Sequence, residues 1–332
     1  MEPARLHAVP DDGGDILEYM SAWTDNHLRI VARPSVRKEY PRHVQRFDGF
    51  MRDRGRSRFV AETERADIEA WRDHFMNGTK AGGEPYAPSS VRIYTAAIVS
   101  FYRWLHEDLE VIDANPADGI KLPTVTARVM DIPTRETIEA VLATTKANTR
   151  HGGHRARGYC WECFKNKRDR ALFDFLIDTG TRESGVAELL TENVNLTHPD
   201  GAHAIVVLKG GNEHRAELSE EAVKSFLRYR AVRAQHPQAS SPRWWLGKKG
   251  PLSASGLLQM VKRRAADAGV VLNVHDFRRY ANHAMAEAGL SEEYRMTLLG
   301  WKDPTMARRY GQQSAGKRAR EAFRAAGLRD QG

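Results

Sequence analysis

Five short motifs carry side chains that could bind and attack a phosphate group: Thr179-Gly180-Thr181-Arg182, Lys209, His275-Asp276-Phe277-Arg278, Leu298-Leu299-Gly300-Trp301 and Tyr310. Two guanidinium forks suit the non-bridging oxygens of a phosphodiester, while Lys, His and Tyr can move protons or attack phosphorus. Taken singly, each motif also fits an ordinary structural role, such as a helix cap, a polar turn or a packed ring. The sequence has no HExxH, Walker, Rossmann-glycine or Gly-x-Ser-x-Gly motif, so the commonest hydrolase and nucleotide-binding fingerprints are excluded.

The composition indicates a globular protein with an anionic partner. The 332 residues are 41% apolar and 28% charged, and 51 Lys and Arg against 43 Asp and Glu give a net charge of +8. No apolar run is long enough to cross a membrane, and the N-terminus has no basic-then-apolar leader. Two cysteines are too few for a disulfide scaffold. We therefore expect a soluble, cytoplasmic, nucleoid-associated protein.

The elements that must position these motifs are mainly helical. Apolar residues recur at helical spacing from Val36 to Met51 and from Val91 to Leu105, and further helices are predicted at 15–30 and 67–75. They form a four-helix domain over residues 13–116, in which Pro41 either kinks the second helix or marks its start. Proline and glycine then favour a linker over 117–133.

The second domain is predicted to span 134–332. Thr134 is the candidate N-cap of its first helix, and another helix runs from Arg168 to Thr179 and stops at Gly180. The stretch 146–167 between them has the character of an insert. Two apolar β runs, 203–208 and 213–218, flank Lys209 and indicate a hairpin.

The order and spacing of the five motifs resemble the tyrosine recombinases, the family of lambda integrase, Xer and Cre, over roughly residues 13–325. Thr179 to Arg182 matches its Thr-Gly-x-Arg box, Lys209 its hairpin lysine, and His275 with Arg278 its His-x-x-Arg box. Trp301 follows Arg278 by 23 residues and Tyr310 follows Trp301 by nine, as the family's last box requires. The resemblance implies a SAM-like N-terminal core-binding domain and a mostly helical catalytic domain with a small antiparallel sheet, closing as a C-shaped clamp.

The resemblance also implies a role for each residue. Arg182 and Arg278 would hold the phosphate oxygens, and Tyr310 would become linked to the DNA 3′ phosphate, which conserves the bond energy without ATP. His275 is the candidate general base, Lys209 the acid for the leaving 5′ oxygen, and Trp301 a donor or buttress in the pocket. For DNA contacts we assign five basic residues of the first domain: Arg37, Lys38, Arg42, Arg46 and Arg92.

Several assignments have alternatives. Trp301 fits a packed core residue as well, and Tyr280 is interpreted as structural. Lys248 and Lys249 compete with Lys209 for the acid role, although only Lys209 lies between two β runs. The chain departs from the family at Gly185, where relatives commonly carry Glu or Asp three residues after the first Arg. Glu183 and Glu188 lie nearby in sequence, and Glu183 is the candidate to take the place of this acidic residue in supporting Arg182 and Lys209.

The insert holds four potential zinc ligands, His151, His154, Cys160 and Cys163, with unusual spacing. The alternatives are a reduced surface cysteine pair, a structural zinc and a redox switch. Catalysis itself is expected to need no cofactor.

Together these features predict a site-specific recombinase, an integrase of a phage or mobile element without an arm-binding domain. We expect a monomer in solution that forms a homotetramer on synapsed double-stranded attachment sites, possible accessory proteins, no membrane partner, and a C-terminal helix that docks on a neighbouring protomer. The alternatives are a strand transferase like the type IB topoisomerases, which needs no synapsis, and a catalytically weak DNA-binding protein of the same fold.

Overall fold

The computed structural model describes residues 14–32, 34–125, 131–146, 160–208, 211–304 and Arg324. Contacts within the chain divide it into two compact units, Met1–Arg128 and Val129–Gly332. Among the described residues, no helix is both long enough and apolar enough to cross a membrane. The functional division into domains at 13–116, 117–133 and 134–332 stays a prediction.

The first unit is helical. Its elements are α1 (Ile16–Ala22), a π-helical turn (Trp23–Leu28), α2 (Arg29–Val31), α3 (Pro34–Asp53), a 3₁₀ turn (Val60–Glu62), α4 (Arg65–Asn77) and α5 (Pro88–Glu107). Asp15 caps α1, since its Oδ1 accepts from the amides of Leu17 and Glu18. Pro41 lies inside α3, which therefore begins at Pro34 and not at Pro41.

Aromatic rings fill the core of the first unit. Phe47 of α3 meets Trp71 of α4 edge to face at 5.6 Å between ring centroids, and Trp23 meets Phe101 of α5 in the same way at 5.3 Å. All four side chains are at most 1% exposed. The apolar spacing read from the sequence therefore marks the buried faces of α3 and α5.

The second unit combines helices with a small sheet. Its elements are α6 (Arg135–Ala143), α7 (Trp161–Thr179), α8 (Glu183–Glu188), β1 (Val194–Asn195), β2 (His203–Val207), β3 (Glu213–Glu217), α9 (Glu220–Arg233), α10 (Ala254–Asp267), α11 (Val274–Glu287) and α12 (Glu292–Leu299). The strands are antiparallel in the order β1-β2-β3, with Val207 opposite Glu213 at the hairpin end. Thr134 caps α6 as predicted, with its Oγ1 accepting from the amide of Thr137.

Helix α7 begins seven residues earlier than the sequence pattern indicates. The sequence pattern places 161–167 within the insert 146–167, yet Cys160 is the N-cap of α7 and Phe164 is fully buried. The ring of Phe164 packs 5.6 Å from Tyr229 of α9, and the Arg168 guanidinium lies 5.5 Å from the centre of the Trp161 ring. Tertiary packing of two aromatic residues therefore extends the helix.

A buried charge cluster fixes α7 against α10. Asp169 is fully buried, and its Oδ1 accepts from Arg168 while its Oδ2 accepts from Arg264 of α10 at 2.9 Å. Arg264 also donates to the carbonyl of Thr144 after α6. Since a buried carboxylate is stable only when it is paired, this cluster links α7, α10 and the end of α6.

Candidate active site

Arg278 joins three of the sequence motifs. Its Nη1 donates to the carbonyl of Gly180 at 2.8 Å, and its Nη2 donates to the carbonyl of Leu299 at 3.0 Å. Its guanidinium lies 4.8 Å from the centre of the Trp301 ring. Because Arg278 is only 3% exposed, these contacts fix the plane of a buried cation where the Thr-Gly-x-Arg, His-x-x-Arg and Leu-Gly-Trp segments meet.

Helix α11 presents His275 and Arg278 together. Asn273 is its N-cap, and its side chain accepts from the amide of His275, so the helix begins just before the motif. Residues three apart lie on one side of a helix. The His275 side chain is exposed, whereas Arg278 is buried. His275 is therefore accessible to a substrate, whereas Arg278 is anchored in the fold.

Gly180 permits the close approach of α11 to the end of α7. It ends α7 in the left-handed conformation, at φ 55° and ψ 23°. A Cβ at this position would lie 3.0 Å from Leu299 Cδ2 and 3.2 Å from Arg278 Cα. A side chain would therefore be strained and would clash, which explains the glycine in this motif.

Arg182 follows this turn as the N-cap residue of α8. It is half-buried, and its guanidinium makes no hydrogen bond or ion pair with any residue that the structure describes. Thr179 and Thr181 stabilise the turn before it through a 2.8 Å contact between their hydroxyl oxygens. The backbone of Arg182 is thus fixed by the turn and the helix, while its guanidinium has no ion-pair or hydrogen-bond partner among the described residues.

The β2–β3 hairpin contacts the same region at Gly300. The Nε2 of His214 on β3 donates to the carbonyl of Leu298 at 3.0 Å. A Cβ at Gly300, which has φ 62°, would lie 3.0 Å from Leu208 Cδ1 and 3.1 Å from His214 Cγ. Lys209 itself lies outside the described residues, but its neighbour Leu208 is placed against the Leu-Gly-Trp segment. The hairpin is thus the fourth motif at this centre.

Sequence reasoning missed His214, although it included the strand that carries it. Burial lowers the pKa of this imidazole below its usual value, and the nearby charge of Arg278 lowers it further, against the raising effect of the Leu298 carbonyl. The side chain is therefore neutral near pH 7, with the proton on Nε2. Nothing in the sequence signals a contact with Leu298, since 84 residues separate the two.

Gly185 lies where α8 packs closely against its neighbours. It is buried in α8, and a Cβ there would lie 3.1 Å from Thr181 Cγ2 and 3.3 Å from the carbonyl oxygen of Val207 on β2. A side chain at this position would therefore require Thr181 or strand β2 to shift by a few tenths of an ångström. Glu183, at the start of α8, is half-buried, and Glu188, at its end, is exposed.

The other candidate residues of the second unit differ in burial and in position. Trp301 is 7% exposed and packs with Ala281 and Leu299, so it is both a core residue and the ring beneath Arg278. Tyr280 is half-buried against the core of the second unit. Lys248 and Lys249 lie in the turn that joins Leu246 to Pro251. Tyr310 lies outside the described residues, and its position relative to the site stays a prediction.

The five candidate DNA contacts are exposed on α3 and α5 of the first unit. Lys38, Arg42 and Arg46 recur every four residues and share one side of α3. The Arg46 guanidinium lies 5.2 Å from the rings of both Phe75 and Tyr94, which holds it in place. Three of the other candidates also have partners within the unit: Arg37 donates to the carbonyl of Ala32, Arg42 pairs with Glu39, and Arg92 donates to the carbonyl of Pro123.

The proposed zinc ligands are only partly described, since His151 and His154 lie outside the described residues. Cys160 and Cys163 are not joined by a disulfide. The Sγ of Cys160 accepts from the Cys163 amide at 3.5 Å, and this hydrogen bond lowers the pKa of the Cys160 thiol. Within the described part of the chain, no group of three or more His, Cys, Asp or Glu residues could hold a metal ion.

Comparison with known proteins identifies the second unit. Residues 160–317 match the model of the phage integrase family. The chain contains a phage integrase domain. This domain spans the motifs from Arg182 to Tyr310, so the resemblance to tyrosine recombinases predicted from the sequence is confirmed.

Proteins similar to this chain include tyrosine recombinases. The chain is 26% identical over 267 residues to Tyrosine recombinase XerC 2 of Ralstonia nicotianae. The matched region covers 77% of this chain and 70% of that protein. Solved structures with the same fold include XerH recombinase bound to its palindromic difH substrate, with a TM-score of 0.67, 12% identity and coverage of 95% and 98%. A lambda integrase fragment dimer on a core site has a TM-score of 0.63, 13% identity and coverage of 88% and 93%. The predicted mainly helical fold with a small antiparallel sheet is confirmed.

Proposed function

We propose that the chain is a site-specific DNA recombinase that cleaves and rejoins strands through a 3′-phosphotyrosine intermediate. The phage integrase domain and the Xer relative support site-specific recombination by a tyrosine recombinase. The observation that supports the proposal is that Arg278 contacts Gly180, Leu299 and Trp301, while Leu208 and His214 of the β2–β3 hairpin lie against the neighbouring residues Leu298 and Gly300.

The chemistry follows from the residue types. The Tyr310 phenolate oxygen attacks phosphorus, the bond from phosphorus to the 5′ oxygen breaks, and that oxygen leaves as a hydroxyl with a proton supplied by Lys209. Attack by a 5′ hydroxyl on the phosphotyrosine reverses the step, so no external energy source is consumed. A phenol has a pKa of about 10, so a base must accept its proton, and His275, whose side chain is exposed, is our candidate for this role.

The two arginines have different parts in this proposal. Charge on the non-bridging oxygens must be stabilised by donors that are fixed before the reaction begins. Arg278 has two of its five N–H donors committed to backbone carbonyls, which sets the direction of the whole fork. Arg182, uncommitted among the described residues, supplies a second fork that reaches the phosphate when DNA binds.

The first unit would supply DNA contacts outside the active site. Its exposed candidates on α3 and α5 are Arg37, Lys38, Arg42, Arg46 and Arg92, and each neutralised phosphate adds salt-dependent affinity. Solved relatives include a lambda integrase tetramer bound to a Holliday junction. By analogy, we expect this chain to bind duplex attachment sites and to assemble into a tetramer on them, in the compartment that holds the DNA.

A nicked suicide duplex with the attachment sequence of the element tests the proposal. After cleavage, the short 5′-hydroxyl fragment diffuses away and traps the protein on the DNA, so a denaturing gel should show a covalent adduct with the wild type and none with Tyr310→Phe. Absence of an adduct on DNA that the protein demonstrably binds would favour the catalytically weak DNA-binding alternative. Joining of strands between two duplexes separates a recombinase from a topoisomerase-like enzyme.

A further inference from the structure

A cationic cavity lies between α7, α9 and the end of α6, away from the candidate active site. Its volume is about 230 Å³, and four basic side chains line it together with Asn166 and Cys163: Lys146, Lys167, Arg170 and Arg228. Lys167 precedes the end of α7 at Thr179 by twelve residues, about 18 Å along the helix axis. The cavity is therefore a separate feature of the second unit.

The charge of this cavity is only partly compensated. Arg170 donates its Nε to both carboxylate oxygens of Asp174, at 3.0 and 2.9 Å. Glu221, the next acidic group that acts on Arg170 and Arg228, is paired with Lys224 at 2.8 Å. The side chains of Lys146, Lys167 and Arg228 make no hydrogen bond or ion pair within the described residues. Three cations therefore remain for an anionic ligand.

The neutral lining adds a hydrogen-bond donor. The Oδ1 of Asn166 accepts from Nη2 of Arg264 at 2.6 Å, which fixes the orientation of the amide. Its Nδ2 group is therefore the part left to donate. Arg264 is itself anchored by Asp169 and the carbonyl of Thr144, so this orientation is built into the core. Cations and an oriented amide together are the chemistry that binds phosphate oxygens.

We propose that this cavity binds a phosphate group. Its volume lies below the roughly 300–1,000 Å³ of pockets for drug-sized ligands, which suits a small anion or a single phosphate of a larger molecule. Lys167 of α7 and Arg228 of α9 both line the cavity, so cations from two helices are available to one anion. The phosphate can belong to the DNA backbone or to a free phosphorylated compound, and the same residues serve either source.

The inference is independent of the chemistry at Tyr310 and can be tested on the full chain. Inorganic phosphate titrated at constant ionic strength should raise the melting temperature of the wild type, because a ligand that binds only the folded state stabilises it. Lys167→Gln/Arg228→Gln should lose most of this rise. The matched control is Lys165→Gln/Arg230→Gln, which removes the same charge from the same two helices outside the cavity lining.

A second measurement distinguishes the two sources. Affinity for a fluorescent duplex of arbitrary sequence is measured between about 50 and 200 mM salt, where each neutralised phosphate contributes about 0.9 to the slope of log K against log salt. If the magnitude of this slope falls by about 1–2 in Lys167→Gln/Arg228→Gln and not in the control variant, the cavity binds a phosphate of the DNA backbone. An unchanged slope with a lost phosphate effect assigns it to a free phosphorylated ligand. Equal phosphate stabilisation in both variants and the wild type would overturn the inference.

Discussion

The imidazole Nε2 of His214 donates to the carbonyl oxygen of Leu298 at 3.0 Å, and this bond attaches the β2–β3 hairpin to the end of α12. The same end of α12 supplies the Leu299 carbonyl that accepts from Arg278. Two adjacent carbonyl groups, of Leu298 and Leu299, therefore bind the hairpin that carries the proposed acid and the arginine of the proposed phosphate site. Any displacement of this segment changes both.

His214→Ala should slow strand cleavage about 10- to 100-fold, because Lys209 loses the anchor of its hairpin and with it part of the effect of a positioned acid. The measurement is the rate of covalent adduct formation on a nicked duplex. A second substrate carries sulfur in place of the bridging 5′ oxygen. A thiol is far more acidic than an alcohol, so its thiolate leaves without help from an acid. The variant should regain nearly the wild-type rate on this substrate.

His214→Gln is the matched control, since its amide can still donate toward the Leu298 carbonyl and should retain more activity than alanine. If the sulfur substrate remains as slow as the oxygen substrate in His214→Ala, the histidine does not act through the acid. The hairpin contact would then be structural only.

Substitutions of Arg182 and Arg278 should differ in their effect on stability while both reduce the rate of cleavage. Arg182→Gln removes a guanidinium that makes no hydrogen bond among the described residues, so the melting temperature should change by no more than about 1–2 °C. Cleavage should still fall about 100- to 1,000-fold, the usual cost of one fixed donor to a developing charge. Thermal melts and adduct kinetics on the same preparations give both values.

Arg278→Gln should lose both properties. It breaks two buried bonds from a charged donor, to the carbonyls of Gly180 and Leu299, each contributing about 1.5–3 kcal/mol. The expected loss is about 3 kcal/mol or more, which lowers the melting temperature by roughly 6–12 °C in a unit of this size. Wild-type stability in this variant would show that the three motifs do not depend on Arg278.

The sequence predicted the elements of this site more fully than their contacts. Helical periodicity placed α3 and α5, and Thr134 and Gly180 marked the start of α6 and the end of α7, because caps and left-handed glycines are local signals. Local signals failed at 161–167, where Phe164 is buried by α9. They also failed at His214, since its partner is distant in sequence and only the folded chain brings them together.

Gly185 provides a test of the departure from the family pattern. Gly185→Glu introduces the carboxylate that the resemblance implies at this position, yet a Cβ here would lie 3.1 Å from Thr181 Cγ2 and 3.3 Å from the Val207 carbonyl oxygen. We expect a loss of about 1–3 kcal/mol from overpacking and no gain in cleavage rate. Chemical denaturation measures the first quantity and adduct kinetics the second.

Gly185→Ala distinguishes sterics from charge in this position. If packing is the cause, alanine should already lower stability, because its Cβ meets the same two neighbours. A stable Gly185→Glu with faster cleavage would mean that β2 can move away from α8 and that the glycine limits the rate of the natural enzyme.

Stability should fall as the solution is acidified below about pH 6.5. Burial lowers the pKa of His43 and His214 in the folded chain, while the unfolded chain keeps the usual value of about 6.5. Above that pH both states are neutral and the histidines add no pH dependence. As the pH drops through the window below it, the unfolded state takes up protons first, so the folded state loses relative stability. The raised pKa values of Asp174 and Asp178 act in the opposite direction at lower pH.

Comparison of wild type and His214→Gln removes the contributions of the other groups. Melting temperatures measured between about pH 5 and 8 should decline less steeply for the variant, because one proton uptake by the unfolded chain is eliminated. His198→Gln is the control, because it removes a half-exposed histidine of the same unit whose ring contacts Asp200 and not the Leu298 carbonyl. Equal slopes in wild type and His214→Gln would mean that the ring is protonated as readily in the folded state as in the unfolded one, and that the bond to Leu298 survives the added charge.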